Sequence, residues 1–156
     1  MSLKPGDEAP DFTLLDQKGN PFTLSKSLKE RKARHLIYFY PKADTPGCTA
    51  QACSLRDARP SLDSAGAVVV GISPDRPAAQ DRFDAKYGLG FPLLSDPDHQ
   101  VAEAYGAWGE RSMYGKKYMG IVRSAFVIDE NGRIAEAIYK VSPKDTVPKA
   151  LQALAG

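Results

Sequence analysis

Two short apolar runs constrain this chain more than any other feature. His35-Leu36-Ile37-Tyr38-Phe39-Tyr40 is closed by Pro41, and Val68-Val69-Val70-Gly71-Ile72 lies between Ala67 and Ser73. Neither run alternates with polar residues, so each reads as a strand buried on both faces, at 33–40 and 67–73. Strands of that kind need helices above and below them. The neighbouring stretches supply them: a helix from Pro46 through Cys53, Leu55 and Ala58, interrupted at Pro60; an amphipathic helix over 77–87 closed by Gly88; and a helix over 99–105, capped by Asp98 and ended by Gly106. Strands are also expected over 11–15 and 21–24, joined at Lys18-Gly19-Asn20 as a small N-terminal hairpin, and over 91–94. Ser25 is expected to cap a short helix through Leu28 and Lys29. Strands over 124–129 and 133–140 flank the turn Glu130-Asn131-Gly132, and a closing helix over 143–154 is disturbed by Pro148. Residues 109–120 are polar and glycine-containing and read as a long loop. This alternation gives a three-layer α/β/α architecture with a central mixed sheet, and 156 residues make one domain over 1–156.

Charge and hydropathy narrow the function. The formal net charge is only +2, and no five like charges run together; the nearest stretch, Lys29-Glu30-Arg31-Lys32, is broken by its Glu. A nucleic-acid role has no electrostatic footprint to rest on. No apolar stretch approaches the ~18–20 residues of a membrane helix. Residues 1–11 are polar and lack the apolar segment of a secretory signal, so a cytoplasmic location is expected.

The chemistry centres on two cysteines, Cys48 and Cys53, five positions apart. In a reducing compartment such a pair is reactive or metal-binding more often than structural. A zinc site is the weaker choice, because the spacing is not C-x-x-C and the only histidines, His35 and His99, lie in distant elements where they read as structural. Cys48 falls in the first turn of the helix that starts at Pro46, where unpaired backbone N–H groups favour a thiolate, the nucleophilic form. The Thr45 hydroxyl, three residues upstream, can cap the helix or donate to an oxygen in the same pocket. Pro41 and Pro46 stiffen the approach. Taken alone, Cys48 is equally a small buried hydrophobe and Thr45 merely a cap. Across an ideal helix the two cysteine Cα atoms stand about 8.7 Å apart, on different sides of the axis. A disulfide needs about 4.4–6.8 Å. Either the two are unrelated, or the first turns unwind during a reaction. Tyr40 and Trp108 read as packing residues in or near the wall of such a site, and Lys42, Lys116 and Lys117 as solvated loop charges.

Pro41-x-x-x-Thr45-x-x-Cys48 resembles the active-site motif of the peroxiredoxins. The longer string FYPKADTPGCTAQACSLRD, from Phe39 to Asp57, resembles the bacterioferritin comigratory protein branch, also called peroxiredoxin Q. Gly6 to Phe12, Tyr105 to Trp108 and Gly120 to Asp129 resemble further segments of that branch, so the likeness covers nearly the whole chain. It implies a thioredoxin-like fold with extra N-terminal strands. It implies reduction of hydrogen peroxide and organic hydroperoxides without metal, haem or other cofactor. By the same resemblance Cys48 is the peroxidatic nucleophile, Cys53 the resolving cysteine through local helix unwinding, and Arg123 the catalytic arginine. Read on its own, Arg123 would be a solvated charge between loop and strand. Thioredoxin is the implied reductant, and a resolving cysteine within the same helix suits a monomer. Two departures stand out: Gln51 where the branch usually has Glu, and Ala125 where Thr is common. The first is expected to loosen any hold on Arg123. A protein thiol–disulfide oxidoreductase would want a C-x-x-C pair, and a non-catalytic module on this fold would not need Thr45 and Arg123 around the thiol.

Overall fold

A computed structural model of the chain describes residues 2–155. Its centre is a seven-stranded mixed sheet in the order β2-β1-β5-β4-β3-β8-β9. The strands are β1 (Thr13–Leu15), β2 (Pro21–Thr23), β3 (Arg34–Phe39), β4 (Ala67–Ser73), β5 (Leu93–Ser95), β8 (Ser124–Ile128) and β9 (Ile134–Ile138). The two apolar runs form its heart. β3 pairs parallel with β4 over six residues, and antiparallel with β8 on its other side. β4 continues in parallel to β5, and the N-terminal hairpin joins the edge through Leu15 and Ser95.

The pleat sorts β3 between two cores. Leu36, Tyr38 and Tyr40 face a cluster that also holds Cys48, Ala52, Leu55, Leu62, Phe83, Ala150 and Leu154. These come from the helices α2 (Pro46–Asp57), α3 (Arg59–Ser64), α4 (Pro77–Tyr87) and α6 (Thr146–Ala155). Ile37 and Phe39 face the opposite cluster, with Leu24 and Leu28 of α1 (Leu24–Arg31) and Val101 and Ala102 of α5 (Gln100–Ala104). Helices thus cover both faces, and the expected three layers are present. Tyr38 and Gly71 are directly paired across β3 and β4. A Cβ at position 71 would stand 3.0 Å from two ring carbons and the hydroxyl oxygen of Tyr38, so glycine leaves the tyrosine side chain room against the neighbouring strand.

The structure corrects several expectations. Residues 109–120 are not a loop. β6 (Trp108–Met113) and β7 (Lys116–Ile121) pair antiparallel as a separate two-stranded ribbon, turning at Tyr114-Gly115 with φ of 52° and 77°. Thr23, not Ser25, stands at the N-cap of α1, and the Asp11 carboxylate accepts the Ser25 N–H at 2.8 Å. His99, not Asp98, precedes α5; the N–H groups of Val101 and Ala102 are taken by Asp96. The closing segment is a 3-10 turn (Pro143–Asp145) followed by α6, which carries Pro148 within its first turn, where no N–H is needed. As expected, the helix is interrupted near Pro60: α2 ends at Asp57, Ala58 joins the two helices, and Pro60 sits in the first turn of α3. Among the described residues no helix is long and apolar enough to cross a membrane, and no three His, Cys, Asp or Glu side chains gather as a metal site would.

His35, fully buried in β3, has a structural role. Its Nδ1 lies 3.0 Å from the Ala33 carbonyl, which only accepts, so that nitrogen carries the proton. Nε2 then accepts from the Ser27 hydroxyl at 2.7 Å, which ties α1 to β3. Burial, the largest cause, lowers the His35 pKa from its usual 6.5. The unfolded chain therefore binds this proton more readily than the folded one. The neutral ring's contribution to stability is complete above pH 6.5 and is lost as pH falls towards the depressed folded value. Urea unfolding should show stability dropping as pH is lowered from about 7.5 to about 5, with a shallower drop in His35→Gln. Parallel pH curves for the two proteins would mean that His35 does not titrate on unfolding.

Candidate active site

β3 delivers the chain to the site under tight control. The Tyr40 N–H donates to the Ile72 carbonyl at 3.0 Å, extending the β3–β4 pairing by one residue. The Tyr40 hydroxyl donates to Gln80 of α4, and its ring stacks on Tyr38 with centroids 5.4 Å apart. Burial pushes the phenols of both tyrosines up, so they stay neutral. Pro41 then turns the chain out, and three contacts fix the loop that follows. The Ala43 N–H donates to Asp75 at 2.7 Å, the Lys86 ammonium pairs with Asp44 at 2.9 Å, and the Tyr87 hydroxyl donates to Asp44 at 2.7 Å. Asp44 holds φ at 59°, a left-handed conformation that aspartate tolerates better than most residues. The Tyr87 and Lys86 hydrogen bonds hold its carboxyl below the usual carboxylate range.

Thr45 takes the N-cap position of α2 and Pro46 the first helical one, as expected. The Thr45 hydroxyl does not cap the helix; it donates to the Lys42 carbonyl at 2.8 Å. The first backbone bond of the helix runs from Thr49 N–H to Thr45 O at 2.8 Å. The N–H groups of Gly47 and Cys48 precede that ladder, at the helix end that carries a partial positive charge. Cys48 is 1% exposed, and its sulfur lies 3.4 Å from Arg123 Nη2. Arg123 sits between β7 and β8. Its carbonyl accepts from Val141 N–H at 3.0 Å, so the backbone that carries it is pinned to the segment after β9. Its Nη1 donates to the Gln51 amide oxygen at 2.6 Å. Gly47 leaves this approach uncrowded, since a Cβ there would stand 3.3 Å from Nη2.

The structure therefore brings Cys48 and Arg123 into contact across 75 residues of sequence, with Thr45 and Pro41 on the loop beside them. Cys53 is half-buried on the same unbroken helix, and both cysteines are free thiols. Gln51 keeps the acceptor oxygen and engages the guanidinium directly, but without the charge that a Glu would bring. Ala125 is buried in the sheet beneath the site, paired with Tyr38 on β3. Trp108 belongs to the core on the other face, its ring stacked on His99 at 3.7 Å, so it is not part of the wall around Cys48. Arg123 also lines a groove of about 520 Å³ with Arg111, Val122, Lys140, Val141 and Pro143. Asp44, Asp75 and Tyr87 went unrecognised in the sequence. Only Asp44, a turn-forming residue before Thr45-Pro46, offered any signal there.

Comparison with known proteins agrees with this geometry. The model of the AhpC/TSA family matches residues 5–137. The chain belongs to the AhpC/TSA family. It is a peroxiredoxin of the Bcp branch: it is 53% identical to peroxiredoxin Bcp of Escherichia coli (strain K12) over 132 residues, 85% of this chain and 83% of that one. It is 51% identical to a putative peroxiredoxin of Mycobacterium tuberculosis over 147 residues, covering 94% and 92%. Among solved structures it is similar to peroxidoxin BcpB from Mycobacterium tuberculosis, with a TM-score of 0.86, 37% identity and coverage of 98% and 97%. A bacterioferritin comigratory protein of Xanthomonas campestris, described for its alkyl peroxide reduction activity, gives a TM-score of 0.83 at 35% identity, covering 92% and 90%. The fold is thus the thioredoxin-like fold of these relatives. Peroxiredoxins are thiol-dependent peroxidases, and the chain is an oxidoreductase of that class.

The pinned loop yields a test. Asp44→Ala removes both contacts to α4 and places alanine in a left-handed conformation. Oxidation of the reduced protein by peroxide should slow by about tenfold or more, since an ångström of misplacement can cost ~10²-fold. Asp44→Asn, which tolerates the backbone and keeps an acceptor for Tyr87, should lose less. Stopped-flow oxidation of the reduced proteins measures both, and equal rates in all three would show that the loop needs no such staple.

Proposed function

We propose that Cys48 is the peroxidatic nucleophile, and that Thr45, Arg123 and the first-turn N–H groups of α2 form its peroxide pocket. The observation that carries this reading is the 3.4 Å contact between the Arg123 guanidinium and the Cys48 sulfur at a helix N-terminus. The thiolate attacks the terminal oxygen of hydrogen peroxide or an organic hydroperoxide. The S–O bond forms as the O–O bond breaks, Cys48 loses two electrons, and the departing oxygen takes a proton to leave as water or alcohol. Arg123 and the backbone N–H groups stabilise the negative charge that builds on the oxygens. The Thr45 hydroxyl turns from Lys42 to donate into the same pocket, and Pro41 holds the loop entrance.

Cys53 then attacks the Cys48 sulfenic sulfur. The S–S bond forms, the S–O bond breaks, and hydroxide leaves with a proton as water. An intact α2 keeps the two Cα atoms about 8.7 Å apart by ideal geometry, so its first turns open during this step. A dithiol protein such as thioredoxin reopens the disulfide by exchange. Both cysteines lie on one helix of one chain, so the cycle needs no second subunit, and a reducing cytoplasm suits it.

Two variants test the assignment. Cys48→Ser should abolish peroxidase turnover, because a neutral hydroxyl is a far weaker nucleophile than a thiolate. Cys53→Ser should consume a single equivalent of peroxide and stop as the sulfenic acid. Excess peroxide should then carry Cys48 to the sulfinic acid, read by mass spectrometry. Retained turnover in the first variant would overturn the nucleophile. Undiminished thioredoxin-supported turnover in the second would remove Cys53 from the cycle.

A further inference from the structure

Gln51 lies on α2 between the two cysteines and is fully buried. Its amide oxygen accepts from Arg123, and its nitrogen donates to the Thr146 hydroxyl at 2.9 Å. The Thr146 hydroxyl in turn donates to the Ser142 carbonyl at 2.9 Å. A hydroxyl has one proton, and this one is committed to Ser142. Thr146 therefore offers position 51 a lone pair. An amide N–H fills it, whereas a carboxylate oxygen only accepts. The donors and acceptors around this position select glutamine, although the branch that the chain resembles usually carries Glu there.

We propose that Gln51 is a positioning residue for the resolution step, tying the middle of α2 to the start of α6 through Thr146 and setting how readily α2 opens once Cys48 is oxidised. This rests on the reading that Cys53 resolves Cys48. The turn that must open contains Gln51, so opening gives up its bonds to Arg123 and Thr146. A neutral amide releases a guanidinium more easily than a buried carboxylate does, because separating a buried ion pair leaves two charges unpaired. The amide thus keeps Arg123 aimed at Cys48 in the reduced state, yet lets the helix go afterwards. The same two bonds serve both stages, and their strength sets the balance between resolution and overoxidation.

Single-turnover oxidation with hydrogen peroxide separates the stages. Sulfenic acid formation depends on peroxide concentration; disulfide formation does not. Acid quench with mass spectrometry and thiol counting reads both. Gln51→Glu exchanges the neutral Thr146 bond for an ion pair with Arg123; the ion pair is the stronger of the two, so the substitution should slow the peroxide-independent phase severalfold and raise the sulfinic fraction in excess peroxide. Thr146→Val removes the lone pair that anchors the amide and should speed that phase severalfold. Thr146→Ser keeps the hydroxyl and should restore the original rate. Simple damage to the fold would shift both substitutions in one direction, so the proposal requires opposite signs, and any other pair of signs overturns it. If the unaltered protein shows no peroxide-independent disulfide phase, the role of Cys53 falls and this proposal with it. A normal phase that ignores both substitutions overturns this proposal alone.

Discussion

The Arg123 guanidinium reaches Cys48 with one nitrogen and Gln51, one turn further along α2, with another. That double contact depends on three separate parts of the fold. The link between β7 and β8 must present Arg123, and the Val141 N–H must hold its carbonyl. Gly47 must leave room beside the first turn of α2. β3 must end where Pro41 can start the loop that aims α2. The parallel pairing of β3 with β4 secures the last of these, since it sets where the loop begins relative to α4 and its Asp44 contacts.

The strongly buried elements were legible because burial on both faces leaves an unbroken apolar run. β3 and β4 are such runs, and the helices between them follow from proline and glycine punctuation. The β6–β7 ribbon was not legible, because it packs against little and keeps polar residues on both faces, so no alternation marks it. Its turn adds to the difficulty. Two successive positive φ values usually call for Asn-Gly, yet here the first belongs to Tyr114. The caps of α1 and α5 failed for a different reason. Asp11 reaches α1 across the N-terminal hairpin, 14 residues from Ser25, and Asp96 reaches α5 from two residues before the Asp98 expected to cap it.

The site divides in the same way. Cys48, Thr45 and Pro41 share one loop-to-helix segment, and reading that segment placed Cys48 in the first turn of a helix, with a small buried hydrophobe as the equal alternative. Arg123 lies 75 residues away, and only the family likeness singled it out. Thr146, 95 residues from Gln51, carried no signal in the sequence. Long-range polar contacts of this kind depend on how layers stack, which local pattern does not encode.

The near-complete burial of Cys48 bears on which molecules can meet it. A thiol 1% exposed is shut off from bulky electrophiles and from the disulfides of other proteins. The wall that screens the sulfur from large reagents would also screen it from a reducing protein. In the proposed cycle, opening α2 would therefore do more than bring two sulfurs within bonding range. It would change the class of visitor the sulfur can receive, from small oxidant to large reductant, so that admission order would be written into the helix itself.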